Sequence, residues 1–148
     1  MSEKVWTPRV TVAAVVERQG RFLMVRERID GRLVCNQPAG HLEDDESLTD
    51  AVRREVLEET AWHFQPKGLV GIYRWRMAET GRTYLRFCFH GEATDQDSGR
   101  PLDPDITDAL WLNRDEVQQA GPRSPMVMNC IDDYLAGSRL PLDLLKDL

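Results

Sequence analysis

An α/β fold is predicted by three features of the sequence: β-rich runs that open the chain and recur in its middle, an acidic helical segment between them, and two capped helical segments near the end. From Arg9 to Arg28, two β-rich runs are joined through Arg18, Gln19 and Gly20, the composition of a hairpin. Asp30 to Glu46 reads as a turn-rich stretch. A helix is predicted from about Ser47 to Thr60, with Ser47 as its N-cap. Leu69 to Met77 and Thr83 to Gly91 are strand-like, turning at Thr80 and Gly81, and Ala109 to Leu112 is a short strand. Asn113 with Glu116 three residues on resembles a capping box, opening a helix that stops at Gly121 and Pro122. The last helix starts at Ser124 and Pro125. Val127, Ile131, Tyr134 and Leu135 are spaced for one buried stripe on it, and Gly137 sits where a C-terminal cap belongs.

A chain of 148 residues fits one domain and can bury on the order of 70% of the surface its unfolded form exposes. Residues 1–148 are therefore read as a single unit. Cys35, Cys88 and Cys130 are far apart and form no C-x-x-C pair, so no disulfide framework or structural zinc site is indicated; they read as small apolar residues. The longest apolar run, Val12 to Val16, is too short to cross a bilayer, and the start MSEKVWTPR lacks the apolar stretch of a signal peptide. A cytoplasmic location and no membrane partner are expected. With 25 acids against 19 bases the net charge is −6, and no Lys/Arg run offsets it, which argues against nucleic acid. A polyphosphate would be repelled as well, so its binding requires a metal ion to supply positive charge.

Between Glu43 and Glu59 lie eight acids and only two bases, Arg53 and Arg54. Such a run is usually a solvated helix face. Helical geometry points elsewhere: at about 100° per residue, Glu55 and Glu59 fall within roughly 20° of Leu48, with Val52 slightly further round. Glu58 lies on the flank of the same arc. Three carboxylates thus converge at the margin of the core, where they repel one another unless a cation joins them. All-oxygen ligation suits Mg²⁺, with Mn²⁺ as a substitute. Arg54 precedes Glu58 by four residues and is spaced to pair with it, as an ordinary surface ion pair would also be.

The stretch GHLEDDESLTDAVRREVLEETAW, Gly40 to Trp62, resembles the Nudix box G-x5-E-x7-R-E-U-x-E-E-x-G-U, where U is a bulky aliphatic residue. Gly40, Glu46, Arg54, Glu55, Val56, Glu58 and Glu59 match it, and seven fixed positions over 20 residues make a specific signal. Ala61 and Trp62 depart from the last two positions. A left-handed conformation at Ala61 would cost about 1 kcal/mol without removing a ligand. Beyond the box, NQPAGHLE from Asn36 to Glu43, LRF at Leu85 to Phe87, and Arg123-Ser-Pro with Gly137, Arg139 and Pro141-Leu142 are similar to the bacterial J-type Nudix phosphatases. Cys35 stands where that subgroup has an aromatic residue. The resemblance implies an α/β/α sandwich with a mixed sheet, and hydrolysis of a diphosphate linkage attached to an organic group. For the J-type proteins it implies phosphate release from nucleoside tri- and diphosphates and from the thiamine pyrimidine precursor, hydroxymethylpyrimidine pyrophosphate. It also implies a monomer.

On this reading Glu55 and Glu59 are the principal metal ligands, and Glu58 is a ligand or the base that orients water. Glu46 and Arg54 support them. Tyr73 and Trp75 share one face of a predicted strand, where they either stack a purine or pyrimidine ring or simply pack the core. Arg86 is a candidate contact to phosphate. His41 follows Gly40 in the loop and can approach the site, whereas His63 and His90 have no ligand-like neighbours. ADP-ribose or a dinucleoside polyphosphate is the alternative substrate class. A non-catalytic Nudix module would be expected to lack one or more of the box carboxylates, and an acidic interaction protein would not respond to Mg²⁺.

Overall fold

The continuous apolar run on the first strand, whose side chains point alternately to opposite faces, dictates a sheet buried on both faces, and a computed structural model of the protein, which describes residues 3–148, has that arrangement. In β1 (Arg9–Val15), Val12 and Ala14 point to one core cluster, Ala13 and Val15 to the other, and all four are fully buried. The predicted hairpin exists but does not include β1. It joins β2 (Glu17–Arg18) to β3 (Arg21–Ile29), with Gln19 at φ 53° and Gly20 at φ 78° in the turn. Two central residues at positive φ suit the twist of a tight hairpin.

The stretch read as turn-rich, Asp30 to Glu46, holds two strands, β4 (Arg32–Asn36) and β5 (Ala39–His41). β5 is an Ala-Gly-His strand of poor β propensity, and pairing with β1 makes it a strand: Thr11, Val12 and Ala13 lie opposite His41, Gly40 and Ala39. The later strands are longer than predicted, running as β6 (Trp62–Arg76), β7 (Thr83–Gln96) and β8 (Ile106–Leu112). The first sheet has the order β5-β1-β7-β6 and is mixed, since β1 runs parallel to β7 and the other pairs are antiparallel. The second sheet is built on β3, which pairs with β2, β4 and β8.

Helices cover both faces of the first sheet. α1 (Leu48–Thr60) starts where predicted: Ser47 caps it by accepting from the Asp50 N–H at 3.1 Å. Its Ala51, Val52 and Val56 pack on Val12, Ala14 and Phe89. α2 (Arg114–Gln119) carries the predicted capping box of Asn113 and Glu116. α3 (Pro125–Leu135) lays Val127, Cys130 and Ile131 on Ala13, Val15 and Cys88. This is the α/β/α sandwich with a mixed sheet, in one domain, that the resemblance implied. Leu135 is not in the buried stripe; it is 50% exposed, because it lies about 80° round the helix from Val127, beyond the arc that meets the sheet. No helix among the described residues is long and apolar enough to cross a membrane.

The two departures at the end of α1 have structural accounts. Ala61 takes the left-handed conformation, φ 63°, and its N–H caps the Leu57 carbonyl at 2.9 Å. Trp62 packs edge-on against Trp111 at 6.0 Å, and the Arg18 guanidinium sits 5.0 Å from both rings. An indole therefore fills space between the sheets that an aliphatic residue would leave open. Left-handed strain of about 1 kcal/mol at Ala61 nearly balances the gain of about 0.8 kcal/mol from its buried methyl. Ala61→Gly is expected to leave the urea midpoint almost unchanged, whereas Ala61→Val, β-branched at positive φ, lowers stability by at least about 2 kcal/mol.

Candidate active site

The site begins with two acids that α1 turns inward. Glu55 and Glu59 are each only 7% exposed, as their place beside Leu48 and Val52 on the helix required, and Glu58 is half-buried on the flank. β5 makes room for them. A Cβ on Gly40 would collide with every atom of the Glu55 carboxyl group, so a side chain at this strand position would have to displace that carboxyl group. One residue earlier, the Ala39 N–H donates to Glu59 Oε1 at 2.9 Å.

Arg54 binds the group together. It donates to both Glu46 oxygens at 2.7 and 3.0 Å, to Glu55 at 2.7 Å, to Glu58 at 3.3 Å and to the His41 carbonyl at 3.0 Å. Its predicted pairing with Glu58 is thus the weakest of its carboxylate hydrogen bonds. Glu46, bonded to Arg54 and to the Glu43 N–H, is held below the usual carboxylate range by that guanidinium. Burial has the opposite effect on the inner acids. It pushes Glu55 up to about 7 against the pull of Arg54, with Glu58 and Asp103 adding to the rise. It pushes Glu59 up to about 9 against the Ala39 N–H, with Glu55, Glu27 and Asp103 adding to the rise. Nearby positive charge is what such acids need to stay ionised.

Asp103 is the acid that spacing along the chain does not reveal. It lies between β7 and β8, and its N–H donates to the Glu58 carbonyl at 3.0 Å, one of the carbonyls left unpaired at the end of α1. Carboxylate oxygens of Glu55, Glu58 and Asp103 all lie within 4.8 Å of one another. Three hard oxygen donors at that spacing, already strained by mutual repulsion, fit a divalent ion such as Mg²⁺. Glu59 is outside this trio: one of its oxygens is committed to Ala39, although it lines the same cavity. The only local hint of Asp103 is an Asp-Pro-Asp turn at 103–105.

That cavity has a volume of about 360 Å³. Its lining includes the acids Glu55, Glu59, Asp103 and Asp105 and the large side chains of Trp75, Met77 and Tyr84. The two aromatic residues first paired by spacing are separated in use. Trp75 stacks on Tyr84 across the β6–β7 ladder, with ring centroids 5.8 Å apart at 26°. Tyr73 is packed under α3 instead, its hydroxyl donating to Asp133 at 2.7 Å. Arg86 reaches the cavity but is 4% exposed, with its two Nη atoms donating to Gln37 and Asn36 at 2.9 and 3.2 Å. His41 lines the cavity, and its imidazole is held below its ordinary range by burial first, then by Arg9 and Arg123. Cys35 is fully buried in the α3-side core cluster, so the residue that replaces an aromatic one there alters packing behind the cavity rather than its wall. Cys88 and Cys130 are buried free thiols as well.

This arrangement, an acidic helix clamped by an arginine beside a cavity in an α/β/α sandwich, has counterparts. Residues 6–130 match the NUDIX domain family. Phosphatase NudJ of Escherichia coli K12 is 42% identical over 141 residues, covering 95% of this chain and 92% of the relative. A solved NUDIX hydrolase from Nitrosomonas europaea is 50% identical and superposes with a TM-score of 0.93, covering 96% of this chain and 98% of that one. The NUDIX domain of Shewanella oneidensis NrtR, solved with ADP ribose, shares the fold at 19% identity and a TM-score of 0.69, covering 88% of this chain and 90% of that one. The chain belongs to the NUDIX family. It is a hydrolase acting on the diphosphate bonds of small phosphorylated molecules.

Gly40→Ala is expected to lower kcat/KM at least about tenfold by displacing the Glu55 carboxyl group, with a stability cost confined to the roughly 1–3 kcal/mol of local overpacking. Circular dichroism melting alongside steady-state kinetics checks this. Normal turnover in the folded variant would show that Glu55 need not occupy its present place.

Proposed function

We infer that the protein is a Mg²⁺-dependent phosphohydrolase releasing phosphate from nucleoside tri- and diphosphates, with hydroxymethylpyrimidine pyrophosphate as a further substrate. The observation that carries this reading is the trio Glu55, Glu58 and Asp103, of which Glu55 and Asp103 line a cavity that the stacked Trp75–Tyr84 pair lines as well. Carboxylates suit a metal and phosphate; aromatic faces suit a heterocycle. Similarity to a phosphatase, NudJ, supports phosphate release.

In this reading Glu55, Glu58 and Asp103 would hold the divalent ion. When bound, it neutralises phosphate oxygens and makes water a better nucleophile at neutral pH. Glu59, kept ionised by the charge of that ion, would orient the attacking water and accept its proton, held in position by the Ala39 N–H. Arg54 and Glu46 fix the rotamers of Glu55 and Glu58 through their shared hydrogen bonds. The volume of about 360 Å³ is near the lower end of ligand cavities, which favours one heterocycle over a dinucleoside polyphosphate. ADP-ribose is the second reading.

Mg²⁺ at roughly a hundredfold excess over its Kd should stabilise the wild type by about 2.7 kcal/mol in a thermal melt, and Asp103→Asn should remove most of that gain. A phosphate-release screen with Mg²⁺ over GTP, GDP, hydroxymethylpyrimidine pyrophosphate and ADP-ribose separates the substrate readings. Release from the first three is expected, and Glu59→Gln should lower their turnover by orders of magnitude while leaving the melt intact. Near-normal turnover in that variant would remove Glu59 from the chemistry.

A further inference from the structure

Three arginines surround the site, and only Arg123 has unpaired donors on a substantially exposed side chain. Arg54 commits Nε, Nη1 and Nη2 to carboxylates and the His41 carbonyl. Arg86 is sealed at 4% exposure, with both Nη atoms engaged and an unpaired Nε that is itself buried. Arg123 differs: its side chain is 47% exposed, it lines the cavity, and its Nη1 donates to Glu27 Oε2 at 2.7 Å. Its Nε and Nη2 have no partner among the described residues. Those two atoms form the edge of a guanidinium that grips a carboxylate or phosphate with two parallel hydrogen bonds.

The arginine is anchored at both ends. Its backbone N–H donates to the Cys35 carbonyl at 2.8 Å, while the Cys35 N–H donates to the Gly121 carbonyl at 2.8 Å, so residues 121–123 run along β4. Glu27 lies on β3 opposite Val34 of β4 and Ile106 of β8, and its side chain is 7% exposed. Burying a carboxylate to pair with a half-exposed arginine is a poor source of stability, because desolvation offsets the attraction. It does fix the direction of the guanidinium. The cavity also needs a cation. Six acids line it, Glu27, Glu43, Glu55, Glu59, Asp103 and Asp105, against Arg86 and Arg123.

We propose that Arg123, aimed by Glu27, binds a phosphate oxygen of the substrate through its free Nε and Nη2 edge. The inference rests on the reading of the site as a diphosphate hydrolase and adds the protein's own phosphate-binding residue. That contact persists from bound substrate to transition state, so its loss weakens KM more than kcat.

The test measures KM and kcat for GTP with saturating Mg²⁺, and the Kd of a methylene-bridged GTP analogue, in wild type, Arg123→Ala, Arg123→Lys and the double variant Glu27→Gln/Arg123→Ala. The double variant removes the buried charge that Arg123→Ala would strand, and so separates phosphate binding from mere neutralisation of Glu27. KM and Kd are expected to rise at least about tenfold in Arg123→Ala and to stay raised in the double variant, with kcat nearly unchanged and lysine restoring only part of the loss. A double variant with wild-type KM and Kd would overturn the proposal while leaving the hydrolase reading intact. If the wild type released no phosphate, that reading would fail instead, and the analogue alone would decide: equal Kd in wild type and double variant overturns the role of Arg123.

Discussion

Repulsion among carboxylates at the edge of an apolar interior is the constraint around which this molecule is arranged. Glu55 and Glu59 sit on the side of α1 that also carries Val52 and Val56, so the packing that secures the helix also pulls two acids out of water. Each needs compensation. Arg54 supplies a charge to Glu55, and the Ala39 N–H supplies a dipole to Glu59. The rise that persists in Glu55, to which Glu58 and Asp103 contribute, marks the trio of Glu55, Glu58 and Asp103 as a candidate place for a cation rather than a finished structural ion pair.

The sandwich fixes where that demand is met. Sheet pairing brings Gly40 under Glu55, and the absence of a side chain there lets strand and helix approach. The left-handed turn at Ala61 redirects the chain from α1 into β6, whose far end carries Trp75. Asp103 caps α1 from the loop before β8, so one backbone hydrogen bond both closes the helix end and delivers the third carboxylate. The cavity therefore lies among α1, the ends of β6 and β7, and the start of α3.

Local rules carried much of this arrangement. Ser47, Asn113 and Ser124 were legible as helix caps because capping involves residues two or three apart. Glu55 and Glu59 were legible as inward-facing because helical phase is set by spacing alone. β5 was not, since three residues of Ala-Gly-His carry no alternation and become a strand only beside β1. Tyr73 and Trp75 do share strand parity, yet parity gives a face and not a neighbour: α3 covers one ring and Tyr84 stacks on the other.

By itself the sequence determined the family, the carboxylate helix, its start, and the inward turn of two of its acids, because a helix is a short-range object whose phase and caps are written within a few residues. Tertiary structure alone decided that Asp103 joins Glu55 and Glu58, that Arg86 is sealed by Asn36 and Gln37, and that Arg123 faces the cavity from its pairing with Glu27. Those contacts span from about forty to nearly a hundred residues, as the separations of 49, 50 and 96 in the arginine pairs show. Their geometry comes from sheet register and from the packing of helices on both faces, and pattern along the chain does not encode either directly.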